Sequence, residues 1–211
     1  MIQSFGEAAL VLSVGTSLAM QRRLWAAWHI LHAREPSVEW VLGMGNLSGF
    51  FDPLVVSAAR IESALEAAWL ASDGVESEPG KRVEIPVVYG GEDGPDLAHV
   101  AEQAGLSCDE VIDRHAGGDY VVYCLGFLPG FAYLGGLDPA LACPRRATPR
   151  LSVPAGAVAI GGAQTAVYPL ASPGGWQLIG QTDALLFDPY RETPGLLAPG
   201  DSVVFVPRGR R

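Results

Sequence analysis

Lysine is nearly absent: Lys81 is the sole lysine beside thirteen arginines, and 23 acidic residues leave the chain at a net charge of −9. A chain this acidic has little to neutralise phosphates with, which excludes nonspecific nucleic-acid binding. Cysteine is scarce too. Cys108, Cys124 and Cys143 form no CxxC pair, so neither a disulfide framework nor a zinc site is signalled, and no metal ligands are assigned. The opening "MIQSFGEAALVLSVG" lacks the basic start of a secretory leader. Together these absences point to a reducing, cytoplasmic compartment. There is no GxxxxGK[ST], no GxSxG and no HExxH, so a P-loop, a nucleophile elbow and a zincin helix are all missing. Uncharged runs are present, from Tyr120 to Leu137 and from Leu151 to Thr182. The first is broken by Pro129 and by glycines 126, 130, 135 and 136, and neither reads as a membrane span.

What is there supports a folded core: 49% of residues are hydrophobic and 18% charged. Ala8–Val14 is an apolar run of strand length. Leu18, Leu24, Trp25, Trp28 and Leu31 then recur at helical spacing, with Arg22 and Arg23 on the other face. "VEWVLGMG" and "LSGFFD" read as strands joined at Gly45-Asn46. Asp52-Pro53 opens a second expected helix, with Val56, Ala59, Leu65 and Trp69 on its face. The order β-α-β-β-α lacks only a closing strand to be a split-βαβ, ferredoxin-like unit. "KRVEIPVVYG" either supplies that strand or begins the next domain. The polar stretch Ser72–Lys81 reads as a linker, giving domains 1–80 and 81–211. Two short helices follow, the second with a Ser107/Glu110 capping box. Then "DYVVYCLGF", "GAVAIGG", "TAVYPL", "WQLIGQT", "ALLFD" and "DSVVFVP" alternate with Gly and Pro. Short strands at such spacing predict a β-barrel or sandwich, and the chain is expected to be α+β.

Between Asp138 and Asp183 the only charged residues are Arg145, Arg146 and Arg150, all in "PRRATPR". Guanidinium forks suit carboxylates and phosphates, so this segment is a candidate anion site for a nucleotide or an acidic substrate. The other reading is that the arginines pair with distant carboxylates or lie solvated. Gln164, Thr165, Tyr168, Ser172, Trp176 and Gln177 offer neutral donors and acceptors beside backbone bared by Gly174 and Gly175. Phe127, Pro129, Gly130, Phe131 and Tyr133 form an expected rigid apolar wall, either one side of a cleft or a partner contact. His115 ends a helix just before the strand that enters this wall. It is the candidate catalytic residue, with a structural role as the alternative. Cys124 and Cys143 have the character of core residues.

"GFLPGFAYLGGLDPAL", "PRRATPRLSVPAGAVAIGGAQTAVYPLASPGGWQLIGQT" and "LLAPGDSVVF" together resemble the KipI/PxpB family, which includes the B-type subunit of bacterial ATP-dependent 5-oxoprolinase and is also called allophanate hydrolase subunit 1. The likeness runs over nearly all of residues 5–206 and is densest over 120–188. It implies a small α/β N-terminal domain and a cyclophilin-like β-barrel. It also implies a KipA/PxpC-type (carboxyltransferase-domain) partner and a LamB/YcsF-type subunit, the assembly opening the lactam of 5-oxoproline to glutamate with ATP and Mg²⁺. One branch of the family resembles histidine-kinase inhibitors, and the allophanate name suggests a urea amidolyase-type subunit; both stay open. "SPGGW", Gln164, Thr165, Tyr168, His115 and the three arginines match the family pattern. Ala157 stands where serine is usual and Gln181 where arginine is more frequent.

Overall fold

Apolar residues at helical and alternating spacing build one core cluster in the first part of the chain and two in the second. In a computed structural model that describes residues 1–75 and 80–210 (side chains of 209 and 210 excepted), the chain divides into units Met1–Pro79 and Gly80–Arg211. Residues 76–79 of the expected linker lie outside the described residues.

The first unit runs β1 (Ile2–Ser4), β2 (Ala9–Ser13), α1 (Leu18–Arg34), β3 (Glu39–Gly43), β4 (Asn46–Phe50) and α2 (Ala58–Ala71). Its antiparallel sheet has the order β1-β2-β4-β3. Leu10 and Leu12 of β2, Trp40 of β3 and Leu47 of β4 bury against Leu24 and Leu31 of α1 and Ile61 and Leu65 of α2. This is the split-βαβ arrangement, but its fourth strand is β1, hairpinned onto β2, and not a strand after α2. "KRVEIPVVYG" belongs to the second unit.

Two expected boundaries move. The β3–β4 register pairs Gly43 with Asn46, so the turn is Met44-Gly45, with Gly45 at φ 71°, and Asn46 is already in the strand. Helix α2 starts at Ala58 behind Ser57, whose side chain accepts from the Arg60 N–H at 3.4 Å. Asp52 instead closes a single turn, its carboxylate accepting from Leu54 N–H and its carbonyl from Val55 and Val56. Leu54 and Val55 are 94% and 78% exposed, so burial adds nothing to extend the helix through a β-branched pair.

The second unit holds β5 (Arg82–Tyr89), α3 (Leu97–Ala104), α4 (Cys108–Ala116), β6 (Tyr120–Leu125), β7 (Ala132–Gly135), β8 (Arg150–Val153), β9 (Ala157–Gly161), β10 (Gln164–Val167), β11 (Ser172–Gly174), β12 (Gln177–Gln181) and β13 (Ser202–Arg210). Seven strands close a barrel in the order β10-β7-β6-β13-β5-β12-β9, and β8 and β11 form a separate two-stranded ribbon. The expected α+β class with a barrel second domain is observed. The capping box at α4 is complete, Ser107 and Glu110 bonding each other's backbone N–H. β13 lies parallel to β5, held where Asp201 accepts from Lys81 N–H and Ala198 N–H at 3.0 and 2.8 Å. "ALLFD" does not form a strand. Phe187 makes one bridge to Gly195 while Leu186 plugs the barrel core, in a loop closed by Leu196 N–H to Leu186 O and Asp188 N–H to Pro194 O.

Candidate functional site

The β8–β11 ribbon brings the arginine segment to the Gly-Trp segment. Ser172 pairs with Val153 and Gly174 with Arg150, and Arg146 N–H donates to Gly175 O at 2.7 Å. Gly174 has a steric reason to be glycine, since a Cβ there would collide with the Tyr168 hydroxyl; one on Gly175 would find only ordinary contacts. Ser172 Oγ donates to Pro173 O, and Gln164 is half-buried on β10.

Beneath the ribbon lies the expected aromatic wall. Trp176, Tyr168 and Phe131 are buried, and Phe131 meets both other rings edge-on at 5.4–5.7 Å. Tyr133 closes on Trp176 at 6.2 Å. Burial is the main cause that raises the Tyr168 phenol above its ordinary range. The turn through Leu128, Pro129 and Gly130 has its left-handed residues at Gly130 (φ 81°) and Phe127 (φ 64°). Phe127 is 59% exposed, and its ring rests on Phe131 and Tyr168. An L-residue held in this region costs about 1 kcal/mol, which the two ring contacts offset.

The arginines do not form a field of one sign. Asp96, at the start of α3 and almost buried, accepts from Arg146 Nη1 at 3.2 Å and Arg150 Nη2 at 2.8 Å through one carboxylate oxygen, and from Leu178 N–H at 2.7 Å through the other. Asp96 was not foreseen. In sequence it reads as an ordinary helix cap, yet its side chain makes no cap bond and its own N–H donates to Leu178 O. Arg145 makes no ion pair among the described residues, and its guanidinium stands 5.5 Å over the Trp176 ring. Gln177 donates through Nε2 to Pro144 O at 2.9 Å. Gln177 Oε1 and Arg150 Nη1 are buried without a hydrogen-bond partner. Asp96, Arg145, Arg146, Thr148 and Gln177, with His99 and Gln103 of α3, line an open groove of about 650 Å³. The last two were not foreseen either.

His115 and Thr165 are not brought to this groove. His115 is fully buried in the barrel. Thr165 Oγ1 donates to Ala159 O at 3.0 Å, so the 2.9 Å contact from His115 Nε2 is a donation to Thr165. The other ring nitrogen, Nδ1, therefore accepts from the Tyr89 hydroxyl at 2.8 Å. Burial pushes the imidazole down to about 3 and lifts the Tyr89 phenol well above its usual range. A neutral histidine with both nitrogens bonded and no solvent access lacks the reach of an acid or base for a substrate in the groove, and in this fold it ties α4 to two barrel strands. Cys124 is buried in the wall with its thiol pushed up to about 11 by burial, an inert setting.

A split-βαβ unit followed by a unit with a closed seven-stranded barrel and an arginine-lined groove defines the class of this chain. Residues 1–197 match the family of the carboxyltransferase domain, subdomain C and D, and the chain belongs to that family. It is 51% identical over 206 residues to the B-type subunit of 5-oxoprolinase from Escherichia coli O157:H7, covering 96% of this chain and 94% of that protein. With the corresponding 5-oxoprolinase subunit of Haemophilus influenzae it shares 47% identity over 210 residues, covering 99% and 98%. Among solved structures, TTHA0988 aligns at 41% identity with a TM-score of 0.78, over 95% of this chain but only 39% of that one. The urea amidolyase of Kluyveromyces lactis shares the fold at a TM-score of 0.84 and 20% identity, over 98% of this chain and 14% of the enzyme. The resemblance carried by the 120–188 motifs is borne out.

Proposed function

We propose that this chain is a non-autonomous subunit of an ATP-dependent, cytoplasmic amidohydrolase complex that opens the lactam of 5-oxoproline to glutamate. The observation that carries the reading is the 51% identity, over 206 residues, with the B-type subunit of a 5-oxoprolinase. The groove is consistent with it, offering guanidinium groups and neutral polar side chains, with Arg145 stacked over the buried Trp176 ring.

Lactam carbonyls resist water because of amide resonance, and transfer of a phosphoryl group to the oxygen supplies a leaving group. That chemistry needs cations on the phosphates, metal ligands and a group to orient water. The groove lining does not fit Mg²⁺-ATP. Its one carboxylate, Asp96, is already held by Arg146 and Arg150, and among the described residues no group of three His, Cys, Asp or Glu side chains could hold a metal. ATP and Mg²⁺ are therefore assigned to the partners, of KipA/PxpC and LamB/YcsF type, and this chain's residues to holding and orienting the small acid. No helix among the described residues is long and apolar enough to cross a membrane.

Coexpression with the two partners, followed by assay of ATP-dependent glutamate release from 5-oxoproline, tests the reading. Turnover by the three together and none by this chain alone is expected. Turnover by the chain alone overturns it. So does a complex that hydrolyses allophanate and leaves 5-oxoproline untouched, or a chain that instead blocks autophosphorylation of a histidine kinase.

A further inference from the structure

We infer that the groove between α3 and the arginine segment is a monocarboxylate seat, holding the acid group of the cyclic amide on Arg145 and Arg146 and turning the nucleotide away. The inference rests on the proposed function and adds to it a place and a charge rule.

The groove's one carboxylate is already consumed. Both oxygens of Asp96 are occupied, by two guanidinium groups and the Leu178 N–H, so Asp96 acts as an anchor and is not free to repel an incoming anion at full strength. Arg146 spends one nitrogen, Nη1, on that anchor, and its backbone is pinned by Gly175 O at 2.7 Å. Its side chain remains 38% exposed, with further donors available. Arg145 has no carboxylate partner among the described residues and is steadied only by the Trp176 face. Two guanidinium groups with spare donors, one pinned and one stacked, line the same groove and suit a planar carboxylate.

Charge then selects among anions. Arg145, Arg146 and Arg150 stand against Asp96 alone, a net positive patch that attracts a small carboxylate, while the lining holds no spare carboxylate for the Mg²⁺ that a nucleotide brings. His99 and Gln103 stand at the α3 edge and Thr148 on the arginine segment. Gln103 and Thr148 offer a donor and an acceptor for the two polar edges of a lactam without adding charge. The groove is open, so a second subunit carrying the phosphoryl donor has room to approach the carbonyl from the solvent side.

The test uses the assembled complex. Arg145→Ala is expected to raise the KM for 5-oxoproline about tenfold or more with kcat changed far less, Arg145→Lys to recover part of the loss, and the KM for ATP to stay put. Wild-type complex is expected to bind 5-oxoproline far better than its uncharged carboxamide as a competing ligand, and Arg145→Ala to lose most of that preference. An unchanged KM for 5-oxoproline in both Arg145→Ala and Arg146→Ala, in an active complex, overturns the inference and leaves the proposed function standing. A rise in the KM for ATP instead makes the groove a nucleotide site and also overturns it. If the complex is inactive on 5-oxoproline, the proposed function falls. Titration of the ¹⁵N-labelled chain then decides the inference: arginine side-chain shifts with 5-oxoproline and not with its carboxamide support it, and their absence sinks it.

Discussion

Two polar networks sit on the same barrel, and they differ in how completely they are satisfied. Inside, Tyr89, His115, Thr165 and the Ala159 carbonyl form a closed series in which every proton has one acceptor, and Tyr120 adds a bond to the His115 carbonyl at 2.8 Å. At the groove, Asp96 is saturated but Gln177 Oε1 and Arg150 Nη1 are left without partners, and Arg145 leans on a ring. A closed buried network specifies a fold; an incompletely satisfied one, next to an open groove, keeps recognition capacity in reserve. The difference separates the histidine, the more eye-catching residue in the sequence, from the arginines that line the open groove.

Substitutions can break this contrast, beginning with the largest effect. His115→Leu strands the Tyr89 hydroxyl and removes the donor to Thr165, so it is expected to cost about 3 kcal/mol in urea unfolding. A loss under about 1 kcal/mol would show the inner network to be dispensable. The second test is pH. The His115 proton affinity is depressed to about 3 in the native chain from an ordinary 6.5, so the unfolded chain binds a proton that the native one refuses. Stability from this group is complete above about pH 6.5 and is lost as pH falls toward 3, about 2 kcal/mol of it between pH 7 and 5. Other groups contribute to the pH dependence as well, so the measurement is a difference: His115→Leu is expected to lose about 2 kcal/mol less than wild type over that interval. Equal losses would contradict a neutral buried imidazole. The smallest effect belongs to the groove. Gln177→Leu removes the bond to Pro144 but also an unsatisfied acceptor, and is expected to change stability by less than about 1 kcal/mol. A cost near that of His115→Leu would erase the distinction between the two networks.

Much of the fold was legible because local signals and burial agreed. The Ser107–Glu110 box, the helical spacing of α1 and the alternation into β6 all depend on residues a few positions apart. What was left open or missed depends on partners far along the chain. Between Asp138 and Asp183 the arginines look unopposed, yet their carboxylate is Asp96, 50 positions before Arg146 and 54 before Arg150. Charge patterning along a sequence is blind to such a pair. "SPGGW" carries turn residues and reads as a loop, but its first residues pair with β8 in a short irregular ribbon, where an edge position tolerates Pro173. "ALLFD" has strand composition and lacks a neighbour to extend a ladder. The aromatic wall was visible in the spacing of Phe127, Phe131 and Tyr133; the left-handed backbone at Phe127 was not, since nothing about a phenylalanine announces it.

The parallel pairing of β13 with β5 also sets an order of events in folding. Lys81 and Asp201, which hold the two strands together at one end, are separated by 120 positions. The sheet of the first unit is assembled from strands within its first fifty residues and needs none of this. The barrel ring stays open until Ser202–Arg210 arrives, and such a distant closure is slow because the intervening chain must be ordered first. Residues beside β5, including β12 and the groove it supports through Leu178, therefore take their final form late. Refolding after a denaturant jump is expected to recover helix and sheet signal well before the near-UV signal of the packed barrel aromatics, with the slow step set by strand β13.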